Sequence, residues 1–77
     1  MSDIRLKGDI EKIGTHEMTG LDIYAFRYKG DPKHYPKAVG PMAQDVQKKF
    51  PAAVGEVDGW LYLKPETTAV VASAPRI

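Results

Sequence analysis

The 77-residue sequence contains no cysteine, so disulfide bridges and thiolate metal sites are excluded as supports for its fold. A chain of this length buries only about 60% of the surface that it exposes when unfolded. Its stability must therefore come from an efficient small core or from a partner subunit. The two histidines, His16 and His34, have no third ligand nearby at a recognisable spacing. We accordingly expect no metal site and no cofactor.

The sequence also lacks a large net charge and a long apolar run. Eleven basic and ten acidic residues are interspersed and give a net charge of +1, so the basic patch typical of nucleic-acid-binding proteins is missing. No apolar stretch approaches the roughly 20 residues that cross a bilayer, and no signal-peptide segment opens the chain. We expect a protein of the cytoplasm that binds neither nucleic acid nor membrane.

Two strands are predicted in the first third of the chain. Apolar alternation predicts a strand over residues 4–13, with Ile4, Leu6 and Ile10 on one face and a bulge or bend at Gly8. A second strand is predicted over residues 21–29, where β-branched and aromatic residues occupy both faces. Because both of its faces are apolar, we expect this strand to be central and to pair with the first as an antiparallel hairpin.

One short helix is predicted in the middle of the chain. Gly40-Pro41 indicates its start, because proline is tolerated at the first helical position, and Pro51 ends it after about nine residues. Its apolar face contains residues four apart: Met42, Val46 and Phe50.

A second hairpin is predicted around Asp58-Gly59, which separates two apolar segments, residues 54–57 and 60–63. The element order is therefore two strands, a helix and two strands (ββαββ). This order predicts an α+β fold with a small antiparallel sheet of about four strands. We expect a globular domain over residues 1–64 and a loosely ordered tail over residues 65–77.

General catalytic motifs are lacking, but residues 2–7, called the opening segment below, contain a serine and a lysine, Ser2 and Lys7. A neutral lysine amine can activate a serine hydroxyl, provided that burial or a cation such as Arg5 lowers the pKa of Lys7. Fully extended, Ser2 and Lys7 would be roughly 16 Å apart at about 3.3 Å per residue. They can pair only if the chain bends, or a lysine from another subunit must take part.

The remaining polar and aromatic residues favour structural interpretations. Asp3, Asp9 and Glu11 are expected to be solvated surface carboxylates, and both histidines are expected to be exposed in loops. An aromatic group fits a core or subunit interface better than a stacking platform for a ligand; its members are Tyr24, Phe26, Tyr28, Trp60 and Tyr62.

Taken in order, several short motifs resemble the intramolecular chaperone auto-processing domain of phage tail spikes, tail fibres and endosialidases. The resemblance covers roughly residues 2 to 63. The motifs are Ser2-Asp3-x-Arg5-Leu6-Lys7-x-Asp9-Ile10, Tyr24-x-Phe26-Arg27-Tyr28, Met42-Ala43-Gln44-Asp45-Val46, Phe50-Pro51-x-Ala53-Val54 and Asp58-Gly59-Trp60-Leu61. Two features depart from that family: Pro41 replaces an apolar residue, and no heptad pattern follows Leu63.

The resemblance implies that the domain assists folding and trimerisation of a fibre and then cuts the chain immediately before a serine. It implies Ser2 as the nucleophile and Lys7 as the general base, with Asp3 and Arg5 as supporting residues. It assigns structural roles to the remaining matched positions: Ala43, Gln44, Asp45, Pro51 and Gly59.

From this resemblance we expect a chaperone-like assembly module of phage or prophage origin that associates with itself, as a trimer, or with a protein partner. Because only Met1 precedes Ser2, we expect no self-cleavage in this short form. Two alternatives stay open: an active serine–lysine peptidase that cuts just before Ser2, and a free-standing, non-enzymatic protein-binding module. As part of a fibre protein, the domain would be virion-associated before cleavage.

Overall fold

A computed structural model describes residues 2–65, which form the predicted α+β fold with antiparallel pairing. A three-stranded sheet has the order β1-β2-β3, and a separate two-stranded sheet contains β4 and β5. The elements are β1 (Lys7–Thr15), β2 (Asp22–Tyr28), β3 (Ala38–Gly40), α1 (Ala43–Lys49), β4 (Val54–Val57) and β5 (Trp60–Leu63), with single-turn 3-10 helices at Ile4–Leu6 and Pro51–Ala53.

Strand β2 is central, as predicted from its two apolar faces. It pairs with β1 on one side and with β3 on the other, and its Ile23 and Phe26 side chains are buried. The predicted irregularity in β1 is also present, because its register with β2 shifts after Gly8, where Asp9 has a φ of +49°. The first two strands therefore form the expected hairpin, with a bulge.

The predicted start of the first strand is wrong, since residues 4–6 form a 3-10 turn. The Asp3 carboxylate accepts the backbone N–H of Arg5, and the Asp3 carbonyl accepts that of Leu6. These local bonds compete with strand pairing and delay β1 until Lys7. As a result, Ile4 and Ile10 do not share a buried face with Leu6; each is 40% exposed.

The predicted start of the helix at Gly40-Pro41 is also wrong. Gly40 ends an additional strand, β3, because it pairs with Tyr24 of β2. Met42 is still extended, with φ of −92° and ψ of 135°, so α1 begins only at Ala43. Residues 2–65 therefore contain five strands in two sheets, where about four were predicted.

The end of the helix agrees with the prediction. Helix α1 stops at Lys49, and Pro51 follows at the start of a 3-10 turn. The apolar face is shorter than predicted, because Met42 and Val46 are buried whereas Phe50 is exposed.

The second hairpin is confirmed in its residues and its turn. Strands β4 and β5 pair from Val57↔Trp60 to Val54↔Leu63. Asp58 and Gly59 both have positive φ, +50° and +82°, as a type I′ turn requires. The helix packs on this hairpin through a cluster made of Leu21, Val46 and Ala53, against which Val54 and Leu63 pack.

No helix among the described residues has the length and apolar composition of a membrane span. The predicted tail, except Pro65, lies outside the described residues, so the boundary at residue 64 stays a prediction.

Candidate functional site

Ser2 is fixed by its backbone between β5 and the start of α1. Its N–H donates to the Leu61 carbonyl at 3.2 Å, and its carbonyl accepts the Ala43 N–H at 2.9 Å. The residue is half-buried. The backbone of Ser2 therefore has a defined place between the second sheet and helix α1.

Asp3 is completely buried, so the expectation of a solvated carboxylate is wrong for this residue. Its carboxylate accepts five hydrogen bonds: three from the Arg5 N–H, Nε and Nη2, one from Gln44 Nε2 and one from the Leu61 N–H. The side-chain hydrogen bonds from Arg5 hold the pKa of Asp3 well below its usual range. Burial acts in the opposite direction, but its effect on the pKa is smaller. The carboxylate is thus a charged junction between the N-terminal segment, α1 and β5.

Asp9 and Glu11, the other two carboxylates in this part of the sequence, are exposed as expected. Asp9 forms a surface ion pair with Arg27, and Glu11 forms one with Lys37. Pairs of this kind contribute little to stability.

Arg5 joins the Asp3 carboxylate to the turn of the second hairpin. Its Nη2 donates to Asp3 Oδ2 at 2.7 Å and to the Gly59 carbonyl at 2.5 Å, and its guanidinium lies 4.6 Å from the centre of the Trp60 ring. The hydrogen bond to Asp3 raises the pKa of Arg5. Arg5 therefore fastens the hairpin turn to the opening segment by a hydrogen bond and a cation–π contact.

Lys7 has the perturbed amine that serine–lysine chemistry needs. It is only 3% exposed; its Nζ donates to the Pro41 carbonyl at 3.2 Å and lies 4.0 Å from the centre of the Phe26 ring. Burial lowers the pKa of Lys7 from 10.5 to about 8, although the charge of Asp3 acts in the opposite direction. Burial, rather than the neighbouring Arg5 cation, is therefore the main cause of the lowered pKa.

The chain has the bend that a meeting of Ser2 and Lys7 requires. The 3-10 turn at Ile4–Leu6 separates the two residues, and both bond to the same short segment. Lys7 Nζ binds the Pro41 carbonyl, and the Ser2 carbonyl binds the Ala43 N–H. Within residues 2–65, no hydrogen bond joins the two side chains directly. Their assignment as nucleophile and base stays a prediction.

Helix α1 and its flanks hold the positions that the resemblance makes structural. Gln44 bonds at both ends of its amide, with Oε1 accepting the Ile4 N–H at 2.9 Å and Nε2 donating to Asp3. Ala43 is buried and Asp45 lies in the first turn of the helix. Pro51 and Gly59 occupy the 3-10 turn and the hairpin turn described above.

Sequence reasoning missed three groups that surround Lys7 and Asp3. These are the Pro41 carbonyl, the Phe26 ring under Lys7 and the backbone of Leu61. Backbone groups leave no signal in a residue pattern. The contact with Phe26 follows only from the register that pairs Lys7 with Tyr28.

The histidines lie away from this site. His34 is exposed, as expected, and its ring meets that of Tyr35 edge to face. His16 is buried, contrary to expectation, because its Nδ1 accepts the Thr19 N–H inside a turn. No group of three or more potential metal-ligating side chains is found in the described part of the chain.

A family model described as chaperone of endosialidase matches residues 2–55, which include the opening segment, the three-stranded sheet and α1. Comparison with curated proteins and with solved structures gave no match. Because the matched residues make up well over half of the sequence, the chain belongs to the chaperone of endosialidase family.

Proposed function

We propose that this protein is an assembly module that assists the folding of a polypeptide joined to it in front of Ser2. The observation that carries the proposal is the family match over residues 2–55. The anchoring of Ser2 on Leu61 and Ala43 supports it, because a preceding segment would leave the domain from a fixed point.

The test is a fusion in which the chain follows a segment of a trimeric fibre. The yield of soluble, assembled fibre is compared between the unaltered fusion and an Ile23→Asp variant, which introduces a charge at a fully buried position. The control is Met18→Asp, because Met18 is 92% exposed. We expect assembly to fail only with Ile23→Asp; equal yields from all three fusions would contradict the proposal.

The proposed assembly role includes self-association as a trimer, which the family resemblance favours. Light scattering on the purified chain at several concentrations tests this directly. A mass near three times 8.5 kDa is the expected result. An unchanged mass of one chain over the whole concentration range would restrict the module to binding other proteins.

A second candidate function is self-cleavage in front of Ser2, and the buried amine of Lys7 is the observation that favours it. In this reaction Ser2 Oγ bonds to the carbonyl carbon of the preceding residue while its proton passes to the neutral Lys7 amine. The carbon–nitrogen bond breaks as the Ser2 nitrogen takes a proton from Lys7. Water then hydrolyses the resulting ester and releases the hydroxyl.

A fusion with a folded reporter in front of Ser2 tests the reaction. Cleavage should occur in the unaltered fusion and stop in Ser2→Ala and Lys7→Met. Lys33→Met is the matched control, because Lys33 is exposed. A folded fusion that stays intact would rule out cleavage without affecting the assembly proposal.

A further inference from the structure

We propose that the outer edge of β5 is a strand-addition site for the segment that directly precedes Ser2. This inference rests on the proposed function in one respect, namely that the working protein has a polypeptide in front of Ser2. Its occupant is that segment in extended conformation, recognised through its backbone.

The first step is the direction in which the Leu61 backbone points. In an antiparallel pair, residues that exchange both hydrogen bonds alternate with residues whose N–H and C=O face outward. The Leu61 N–H donates to Asp3 Oδ2, and its carbonyl accepts the Ser2 N–H. Leu61 therefore directs both groups away from β4, and residues 2–3 already occupy this part of the edge.

The second step is the direction of the opening segment along that edge. Ser2 and Asp3 bond to Leu61. Arg5, which is later in the opening segment, bonds to the carbonyl of Gly59, which precedes Leu61 in the sequence. The opening segment therefore runs antiparallel to β5. A segment that precedes Ser2 and continues this path passes along Leu63.

The third step is the bonding capacity of Leu63. The Lys64 N–H donates to the Ala53 carbonyl across the ladder, so the alternation assigns Leu63 the same outward orientation as Leu61. Outside the ladder, no residue in the range 2–65 hydrogen-bonds to the Leu63 N–H or C=O. With Ser2 opposite Leu61, the second residue upstream of Ser2 lies opposite Leu63 and can exchange both bonds with it.

The partner chemistry follows from this register. Backbone bonds impose no particular side chain, but they require an N–H on the second upstream residue. Proline at that position lacks this donor. Proline at the third upstream position removes no bond to β5, because the N–H of a residue there would face away from β5.

The experiment uses the full chain with Ser2→Ala, so that cleavage cannot occur, behind a short Thr-rich segment. Amide hydrogen exchange of Leu63 is measured by NMR in this fusion and in the same chain that begins at residue 2. Two further fusions have proline at the second or the third upstream position. The Leu61 amide, which is bonded to Asp3, is the internal reference.

We expect Leu63 exchange to slow about tenfold in the fusion, as one or two added hydrogen bonds of about 1 kcal/mol each imply. Proline at the second upstream position should weaken this protection, because it removes the bond to the Leu63 carbonyl and sets its ring against β5, whereas proline at the third should preserve it. Equal Leu63 exchange with and without the segment would overturn the inference, as would an equal effect of the two prolines. Failure of cleavage or of fibre assembly would leave the Leu63 result unchanged, so the proposals fail separately.

Discussion

At the scale of single residues, the opening segment contains two buried groups of opposite charge, Asp3 and Lys7, whose surroundings differ. Asp3 receives five hydrogen bonds, so its charged form is stabilised. The Lys7 amine donates one hydrogen bond, to a carbonyl, and contacts one aromatic ring. These contacts compensate its charged form poorly for the loss of water. Within a span of five residues, the domain thus keeps a carboxylate ionised and lowers the pKa of an amine.

The titration of Lys7 gives the first prediction. NMR of the side-chain nitrogen should show a midpoint near pH 8, and this transition should be missing in Lys7→Met. Because the folded pKa lies below the ordinary 10.5, the unfolded state binds more protons between these two pH values. The free energy of unfolding should therefore gain a contribution from Lys7 as pH rises from about 8 to 10.5. An unperturbed midpoint would contradict the burial of the amine.

The Asp3 carboxylate gives the second prediction, on acid stability. Its pKa is lowered in the folded state, so its contribution to stability is present above the ordinary value of 3.8 and is lost as pH falls below it. Asp3→Asn should lower the melting temperature at neutral pH and flatten this acid-side dependence. Asp9→Asn, at an exposed carboxylate, should have little effect. Equal losses in the two variants would argue against the special position of Asp3.

The burial of Asp3 was not predictable from sequence. Two of its donors, Gln44 and Leu61, are 41 and 58 residues away along the chain. The three carboxylates in the first eleven residues predict a solvated face. Asp9 and Glu11 are exposed as this pattern predicts, whereas Asp3 is not. Serine–lysine chemistry depends on residue types, so Ser2 and Lys7 could be named as candidates from sequence, and their roles stay a prediction. The burial of Lys7 depends on long-range contacts such as the Pro41 carbonyl.

At the scale of elements, the structures that were predicted correctly are those whose signals are local. The Asp58-Gly59 turn needs two residues with positive φ, which these residue types supply. Strand β3 has only three residues and depends on pairing with β2, so no local signal identifies it. The opening 3-10 turn was missed for another reason: its bonds to Asp3 are local, but the apolar alternation of the same residues predicts a strand.

The hairpin turn gives the third prediction. Gly59→Ala should lower the free energy of unfolding by about 1 kcal/mol, because Gly59 has a φ of +82°. The matched control is Gly40→Ala, since Gly40 has no positive φ and no atom lies within 4 Å of where its Cβ would be. That change should be neutral or stabilising by up to about 1 kcal/mol. Urea titration of both variants gives the comparison; the same sign in both would contradict the turn geometry.

The pairing of Gly55 with Tyr62 gives the fourth prediction. A Cβ on Gly55 would overlap the end of the Tyr62 ring, which lies over this glycine on the neighbouring strand. Gly55→Ala should therefore cost about 1 to 3 kcal/mol, as overpacking does. In the background of Tyr62→Ala the same change should cost much less. A double-mutant cycle by chemical unfolding measures the difference, and additive losses would show that the ring is not the obstacle.

At the scale of the whole molecule, the first and last parts of the described chain are joined by hydrogen bonds. The family match ends at residue 55, yet Ser2, Asp3 and Arg5 all bond to residues 59–61. The part of the fold that the family describes is thus supported by a strand that follows it. The buried surface of a domain this small leaves little reserve to tolerate the loss of such contacts.

The fifth prediction concerns truncation. A chain that ends at residue 57 loses β5 and every partner of the opening segment in residues 59–61, so its cooperative unfolding transition should disappear. A chain that ends at residue 65 keeps those partners and should retain a cooperative transition. Circular dichroism during heating distinguishes them. Loss of cooperativity in both would place the domain boundary beyond residue 65 and contradict the boundary predicted at residue 64.

The long sequence separation of the Asp3–Leu61 bond has a consequence for protein synthesis. At about 5 to 20 residues per second, a ribosome needs roughly 3 to 12 s to add the 58 residues that separate the two partners. During that interval the opening segment has no Leu61 to bind, whatever has already been translated in front of it. This hydrogen bond can therefore form only when translation of the domain is almost complete. A polypeptide joined at Ser2 would by then have been made in full.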